Sequence, residues 1–266
     1  VMAVTMGVLG FLCAIFLTIL GSMAILKVMG IDMGLTMKTI FTLLIICGIF
    51  RGILHYAEQL SNHYIAFRIL ALIRDKIFAA LRKLAPAKLE DKEKGNLISI
   101  ITSDIELLEV FYAHTISPIA IAALTSVILV LFIGRYHWLA GLLTLIAYLI
   151  VGAVIPLWNG RRGREKGMAF RTSFGDLNSF VLDSLRGLDE TIQYGQGDKR
   201  KEQMTQRSQK LADMQESLSR MEGAQRSLTN TVILLASFGM LALTIWLYAK
   251  GEMGFDGIVT CTIAMM

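Results

Sequence analysis

Residues 39–68 read TIFTLLIICGIFRGILHYAEQLSNHYIAFR. The first twelve are almost wholly apolar, while the eighteen from Arg51 to Arg68 carry Arg51, His55, Glu58, Asn62 and His63. A helix that crosses a bilayer needs about 20 mostly apolar residues. The apolar run alone is shorter than that, so a spanning helix here must carry Arg51, His55 and Glu58 to lipid depth. At about 100° per residue, Arg51, His55, Glu58 and Asn62 fall within about 60° of one another, and His63 lies about 120° from Arg51. A charge at bilayer depth costs about 2.5 to 3.5 kcal/mol on insertion scales, and such residues usually face a partner group or a water-filled cavity. Two readings follow. Arg51, His55, Glu58, Asn62 and His63 line a substrate cavity, or they form a polar network that ties spans together, with snorkelling near the inner interface.

Outward from that stretch the chain alternates between two compositions. It has 266 residues, 55% of them hydrophobic, and a mean hydropathy of +0.59, too apolar for an ordinary soluble domain. Residues 68–109 and 159–226 hold 21 of the 26 Lys and Arg and 17 of the 21 Asp and Glu. The signs nearly balance within those segments, so the formal charge of +5 does not indicate a nucleic-acid partner. The rest is nearly free of charge and divides into spans: about 2–29, one starting near Lys38, then about 111–133, 136–158 and 227–249. A sixth begins at GFDGIVTCTIAMM, and the chain stops inside it. The opening VMAVTMGVLG has no basic leader and no cleavage site, and reads as a first span rather than a signal peptide.

Short turns, GIDMGLT, GRY and KGEMGFDG, join spans on one side; the two charged excursions, about 68–110 and 159–226, lie on the other. The positive-inside rule puts the excursions in the cytoplasm. Both read as helical. Ile69, Leu72, Ile73, Ile77, Phe78, Leu81 and Leu84 keep a helix period up to Pro86, and 199–230 is rich in helix formers. The expected tips are a turn at about 86–94 and a second at 171–178, RTSFGDLN, punctuated by Gly175. Arg161, Arg162 and Arg164 follow the fourth span and suit anchoring to anionic headgroups.

Several chemistries are excluded. No stretch reads GxxxxGK[ST]; GRRGREKG has the wrong spacing and no following Ser or Thr. No HExxH and no nucleophile triad can be assembled. Cys13, Cys47 and Cys261 sit in separate apolar stretches without metal or CxxC spacing, and read as small buried hydrophobes.

Six spans, short outer turns and two long cytoplasmic hairpins resemble the transmembrane domain of exporter-type ABC transporters. The stretch LRKLAPAKLEDKEKGNLISIITSDIELLE resembles that family's first intracellular loop, with Gly95 and Asp104 at its glycine and aspartate. The stretch FVLDSLRGLDETIQYG resembles its second, with Gly187 at its glycine and Asp183 where Glu is common. A more specific likeness is to the C-subunit half-transporters of the cytochrome bd assembly exporters, which are linked to haem and to cysteine or glutathione. It rests on Glu58, His63, Phe67-Arg68, Ile73-Arg74, Leu84 to Pro86, Tyr112, Pro118, Gly187, Glu190, Tyr194 and Gly195, and departs at His55, where those subunits tend to carry Arg.

The resemblance implies an all-α membrane protein: a six-helix type 1 ABC exporter transmembrane domain, its long helices reaching into the cytoplasm and its sixth helix truncated. It implies a multi-pass protein of the bacterial cytoplasmic membrane. It implies a second half-transporter, with a heterodimer favoured over a homodimer. It also implies nucleotide-binding domains that hold ATP and Mg outside this chain. The tips expected to dock on those domains are Pro86, Ala87, Lys88, Leu89 and Glu90, and Arg171, Thr172, Ser173, Phe174, Gly175 and Asp176. His63 is the candidate haem ligand, since neutral imidazole binds haem iron well; the bland alternative is an interfacial histidine. His114 reads as a residue that caps or bonds between helices. The expected substrate is haem or a thiol such as cysteine or glutathione. The alternatives are an exporter half for peptide, lipid or drug, and a membrane scaffold or receptor that transports nothing.

Overall fold

In the computed structural model the described residues are 1–31, 34–84, 108 and 111–265, without the side chains of 112, 113, 161 and 162. Among them every regular element is helical. In chain order these are α1 (Met2–Val28), α2 (Met37–Leu84), α3 (Ser117–Gly134), α4 (Trp138–Leu149), α5 (Ile155–Arg186), α6 (Leu188–Gln193), α7 (Gly197–Ala249) and α8 (Phe255–Met265). Two π-helical turns, Tyr112–Ile116 and Ile150–Val154, lead into α3 and α5.

Among the described residues, five helical stretches are long and apolar enough to cross a membrane: Met2–Val28, Met37–Leu84, His114–Gly134, Trp138–Gly160 and Gly197–Ala249. The shorter apolar helix α8 is where the sixth span was expected to begin. Only 11% to 28% of each apolar window is buried within the chain. The remainder is apolar surface that needs lipid or a partner to cover it. At 1.5 Å per residue, the 48 residues of α2 extend about 72 Å and the 53 of α7 about 80 Å, against about 30 Å of hydrocarbon. As the sequence indicated, both helices continue far past the bilayer.

The π-turns have a local cause. Each ends two residues before a proline, Pro118 and Pro156. Proline has no N–H to give to the carbonyl four residues back, and its ring clashes with that carbonyl. Widening the preceding turn relieves the clash, so the chain stays helical with one extra residue in the turn.

Three glycines stop helices. Gly30, Gly195 and Gly251 have φ of 87°, 62° and 75°, the left-handed region glycine enters without penalty. After each, two backbone bonds close back on the helix end. Ile31 N–H donates to the Leu26 carbonyl at 3.1 Å, Gln196 to Thr191 at 2.9 Å and Glu252 to Leu247 at 3.0 Å, the pattern of the Schellman stop.

The turn expected at 171–178 is absent. α5 runs unbroken through Arg171, Thr172, Ser173, Phe174, Gly175 and Asp176 to Arg186. A lone glycine costs a helix about 1 kcal/mol, too little to interrupt one of 32 residues whose Phe170 and Phe174 rings stack along its surface at 6.3 Å. The reversal falls later, at Gly187, the short helix α6 and Gly195. The first tip, Pro86 to Glu90, lies outside the described residues, as do Gly95 and Asp104.

The chain forms two compact units, residues 1–144 with 240–266, and residues 145–239. In the first, α1 packs mainly on α2 and also meets α3 and α8. Gly134 and Gly141 let α3 and α4 turn closely on one another, since a methyl on Gly141 would sit 2.8 Å from the Gly134 Cα. Phe16 meets Phe132 edge to face at 5.6 Å, and His137 Nε2 lies 3.2 Å from Glu252 Oε2, joining two outer turns. In the second unit, α5 and the first part of α7 form a hairpin. Lys166 Nζ donates to Ser217 Oγ at 3.0 Å, and the Arg200 and Arg207 guanidinium groups lie over the Phe180 ring at 5.0 and 4.7 Å.

Candidate functional site

On α1, Ala3, Gly7, Gly10 and Ala14 recur at helical spacing; the first three are buried. Stripes of small residues let membrane helices approach closely. A methyl on Gly10 would lie 3.6 Å from Leu54 Cβ and 3.9 Å from the His55 backbone nitrogen. A methyl on Gly7 would overlap the Ile121 side chain and sit 3.3 Å from Glu58 Cγ. The space at Gly7 is filled chiefly by the Ile121 side chain, with the Glu58 stem beside it; Glu58 is only 5% exposed.

A carboxylate held that deeply needs partners. Glu58 has two, both on its own helix. His55 Nδ1 lies 3.2 Å from Oε2, and Asn62 Nδ2 donates to Oε1 at 3.2 Å. Asn62 is likewise buried. The spacings of three and four residues that gathered these side chains on one stripe are the same spacings that let them bond.

Outside this buried pair the site opens. Arg51, His55 and Glu58 join Gly7, Gly10, Phe11 and Ala14 around a cleft of about 120 Å³. That is somewhat smaller than the ~150 Å³ cavity known to take a benzene ring, so the cleft suits one small molecule. Its chemistry is mixed. Arg51 brings a planar fork of donors suited to a carboxylate or phosphate, the His55–Glu58 pair brings a polar wall, and Phe11 and Ala14 bring an apolar one.

Of the five residues the sequence placed together, Arg51, His55 and Glu58 line the cleft, and Asn62 supports Glu58 from behind. His63 does not line it. Its ring is exposed, stacks on Phe67 with centroids 6.1 Å apart, and meets the His114 ring edge-on, also at 6.1 Å. The small-residue face of α1 was missed, although its spacing was legible. Of the cysteines, Cys261 is buried as expected, while Cys13 and Cys47 are half-buried. Among the described residues no group of three or more His, Cys, Asp or Glu is placed to hold a metal ion.

The family model for the ABC transporter transmembrane region matches residues 1–266. The chain belongs to that family, and is an all-α transmembrane domain of a multi-pass protein of the bacterial cell membrane. It is 41% identical over 263 residues to a probable ABC transporter ATP-binding/permease protein of Haemophilus influenzae, covering 99% of this chain and 48% of that protein. It is 25% identical over 204 residues to the glutathione/L-cysteine transport system ATP-binding/permease protein CydC of Escherichia coli, covering 75% and 34%. It is 21% identical over 208 residues to an ATP-dependent lipid A-core flippase of Shewanella denitrificans, covering 77% and 34%. The chain thus spans about half or less of the length of these relatives.

Proposed function

We propose that this chain is the membrane half of an ATP-driven exporter for a small zwitterionic thiol, cysteine or glutathione. The observation that carries the reading is the cleft of Arg51, His55 and Glu58 in the middle of a spanning helix. Arg51 suits the substrate's carboxylate and the Glu58 side its ammonium. Relatives described as glutathione/L-cysteine transport proteins support the same reading. The half-site is completed by a second half-transporter, most simply a different one, and alternating access is driven by ATP and Mg on nucleotide-binding domains.

Coupling to those domains falls to α6. It is short, lies at the reversal of the second excursion, and carries Leu188, Ile192 and the adjoining Tyr194 exposed at 48%, 68% and 74%. Exposed apolar side chains on a cytoplasmic tip mark a docking surface.

The test uses inside-out vesicles carrying the full-length protein with its partner half. ATP-dependent uptake of labelled cysteine or glutathione is expected, falling at least about tenfold in Arg51→Ala, as loss of an interaction worth about 1.4 kcal/mol would give. Absence of thiol uptake, with ATPase activity stimulated instead by a lipid, peptide or drug, overturns the substrate. Absence of any ATP-dependent transport favours a scaffold.

Haem is the second reading, with His63 as its ligand. It is favoured by the exposure of that ring and by its position away from the thiol cleft.

A further inference from the structure

We infer that the end of α3 at the GRY turn binds an anionic phospholipid, with the lipid phosphate on Arg135 and an acyl chain along the helix beneath it. The inference is independent of the thiol reading, because none of these residues lines the cleft of Arg51, His55 and Glu58.

The headgroup site is a cavity of about 240 Å³ lined by Phe132, Arg135 and Tyr136. That exceeds the ~150 Å³ that takes a benzene ring, so a phosphodiester has room in it. Two walls are aromatic. The Phe132 ring meets Phe16 edge to face at 5.6 Å and Tyr136 edge to face at 5.8 Å, which holds both walls in place. The third wall is the guanidinium, a planar fork of donors that matches two phosphate oxygens. Among the described residues no ion pair or ring contact engages Arg135. Glu252, on the turn that meets this one, is taken by His137 at 3.2 Å, and Asp256 does not line the cavity. The walls therefore offer a charge to an anion and none to an ammonium.

The acyl-chain site follows from the helix period. Leu124, Ile128, Leu131 and Arg135 fall within about 60° of one another at about 100° per residue. The three apolar members are 50%, 39% and 66% exposed, and Arg135 is exposed as well. The buried residues of α3 are Ile121, Thr125, Leu129 and Ile133, on a different face. From Leu124 to Arg135 the helix rises about 16 Å at 1.5 Å per residue. Half of a hydrocarbon core of ~30 Å is about 15 Å. The apolar stripe thus runs the depth of one leaflet and ends at a cation where that leaflet's headgroups begin. Trp138, 67% exposed at the start of α4, supplies the interfacial aromatic ring usual at that level.

The test uses the full-length transporter with its partner half in detergent. It is titrated with phosphatidylglycerol, or with phosphatidylethanolamine of the same acyl chains, and the first bound lipid is read by native mass spectrometry. The parent is expected to bind phosphatidylglycerol about fivefold more tightly, the worth of one basic residue at an anionic membrane surface. Arg135→Ala is expected to remove that preference. Arg135→Lys, which keeps the charge and loses the fork, is expected to keep part of it. Leu131→Ser should weaken both lipids alike. Glycerol phosphate, which has no chain, should not compete at the same concentration; competition would make this a site for a soluble phosphate ester and overturn the lipid. Equal binding of the two lipids by the parent overturns the proposal, and so does an unchanged preference in Arg135→Ala. No bound lipid in the assembled transporter would mean that the partner half covers the stripe, and overturns it too. Both positions are exposed, so unchanged elution and melting temperature of the variants keep folding out of the comparison.

Discussion

Glu58 shows how one residue reconciles a charge with a membrane helix. Its carboxylate is held by His55 and Asn62 at 3.2 Å each, and its stem lies with Ile121 against the bare face of Gly7. Gly7 and Gly10 of α1 are therefore not equivalent. Gly7→Ala is expected to destabilise the domain by about 1 to 3 kcal/mol, the usual range for overpacking, because the added methyl meets both Ile121 and Glu58. Gly10→Ala places its methyl at an ordinary contact distance from Leu54 and is expected to be tolerated. Melting temperatures of the purified variants, compared side by side, check the contrast; equal losses would mean that the bare face of Gly7 is not what seats Ile121 and Glu58. The polar stripe itself was legible in the sequence, since its angles depend only on helix period. Its split into a cleft and a separate histidine pair was not, because that depends on which helix packs on each side. Arg51, His55 and Glu58 face α1 residues, whereas His63 faces a π-turn more than fifty residues ahead.

At the scale of the element, the punctuation decides where helices bend and stop. Pro118 bends one without stopping it, and Pro118→Ala is expected to return the π-turn to a regular helix. The side chain of His114 would then rotate by roughly 100° about the axis, away from the His63 ring that it meets edge-on. A structure of the variant that keeps the π-turn would show that Pro118 does not set it. Glycine was the harder signal to read. Gly175 sits among Thr, Ser, Asp and Asn, a turn-like composition, yet α5 passes through it because the cost is small and the helix continues on both sides. Gly195 is the true stop, and what marks it is the left-handed backbone with its paired closing bonds. Composition sees turn formers alike; only the φ sign separates the two glycines.

For the whole molecule, the class was evident from the distribution of charge. Two balanced polar excursions between nearly uncharged spans have few alternatives. The first four spans begin within a few residues of their expected starts, and the fifth ends at its expected residue, Ala249, in a helix that reaches back to Gly197. The reversal of the second excursion falls later than RTSFGDLN because the closing turn is made at YGQG, where Gly195 takes the left-handed backbone. The docking proposed for α6 is checked by the double variant Leu188→Ala with Ile192→Ala. Both side chains are exposed, so the fold should lose no more than about 0.5 kcal/mol from each. Transport is expected to fall severalfold while ATP hydrolysis persists, and full transport in that variant would place docking elsewhere. The same α2 that bears the cleft reaches from the outer turns to Leu84. Glu58 lies near its middle, about 32 Å from Met37 and about 39 Å from Leu84 along the axis at 1.5 Å per residue. A rod seated at that point behaves as a seesaw with nearly equal arms. A swing of about 10 Å at the inner end of such a rod about Glu58 would carry its outer end about 8 Å the opposite way, so movement at one end of α2 is returned at the other almost undiminished.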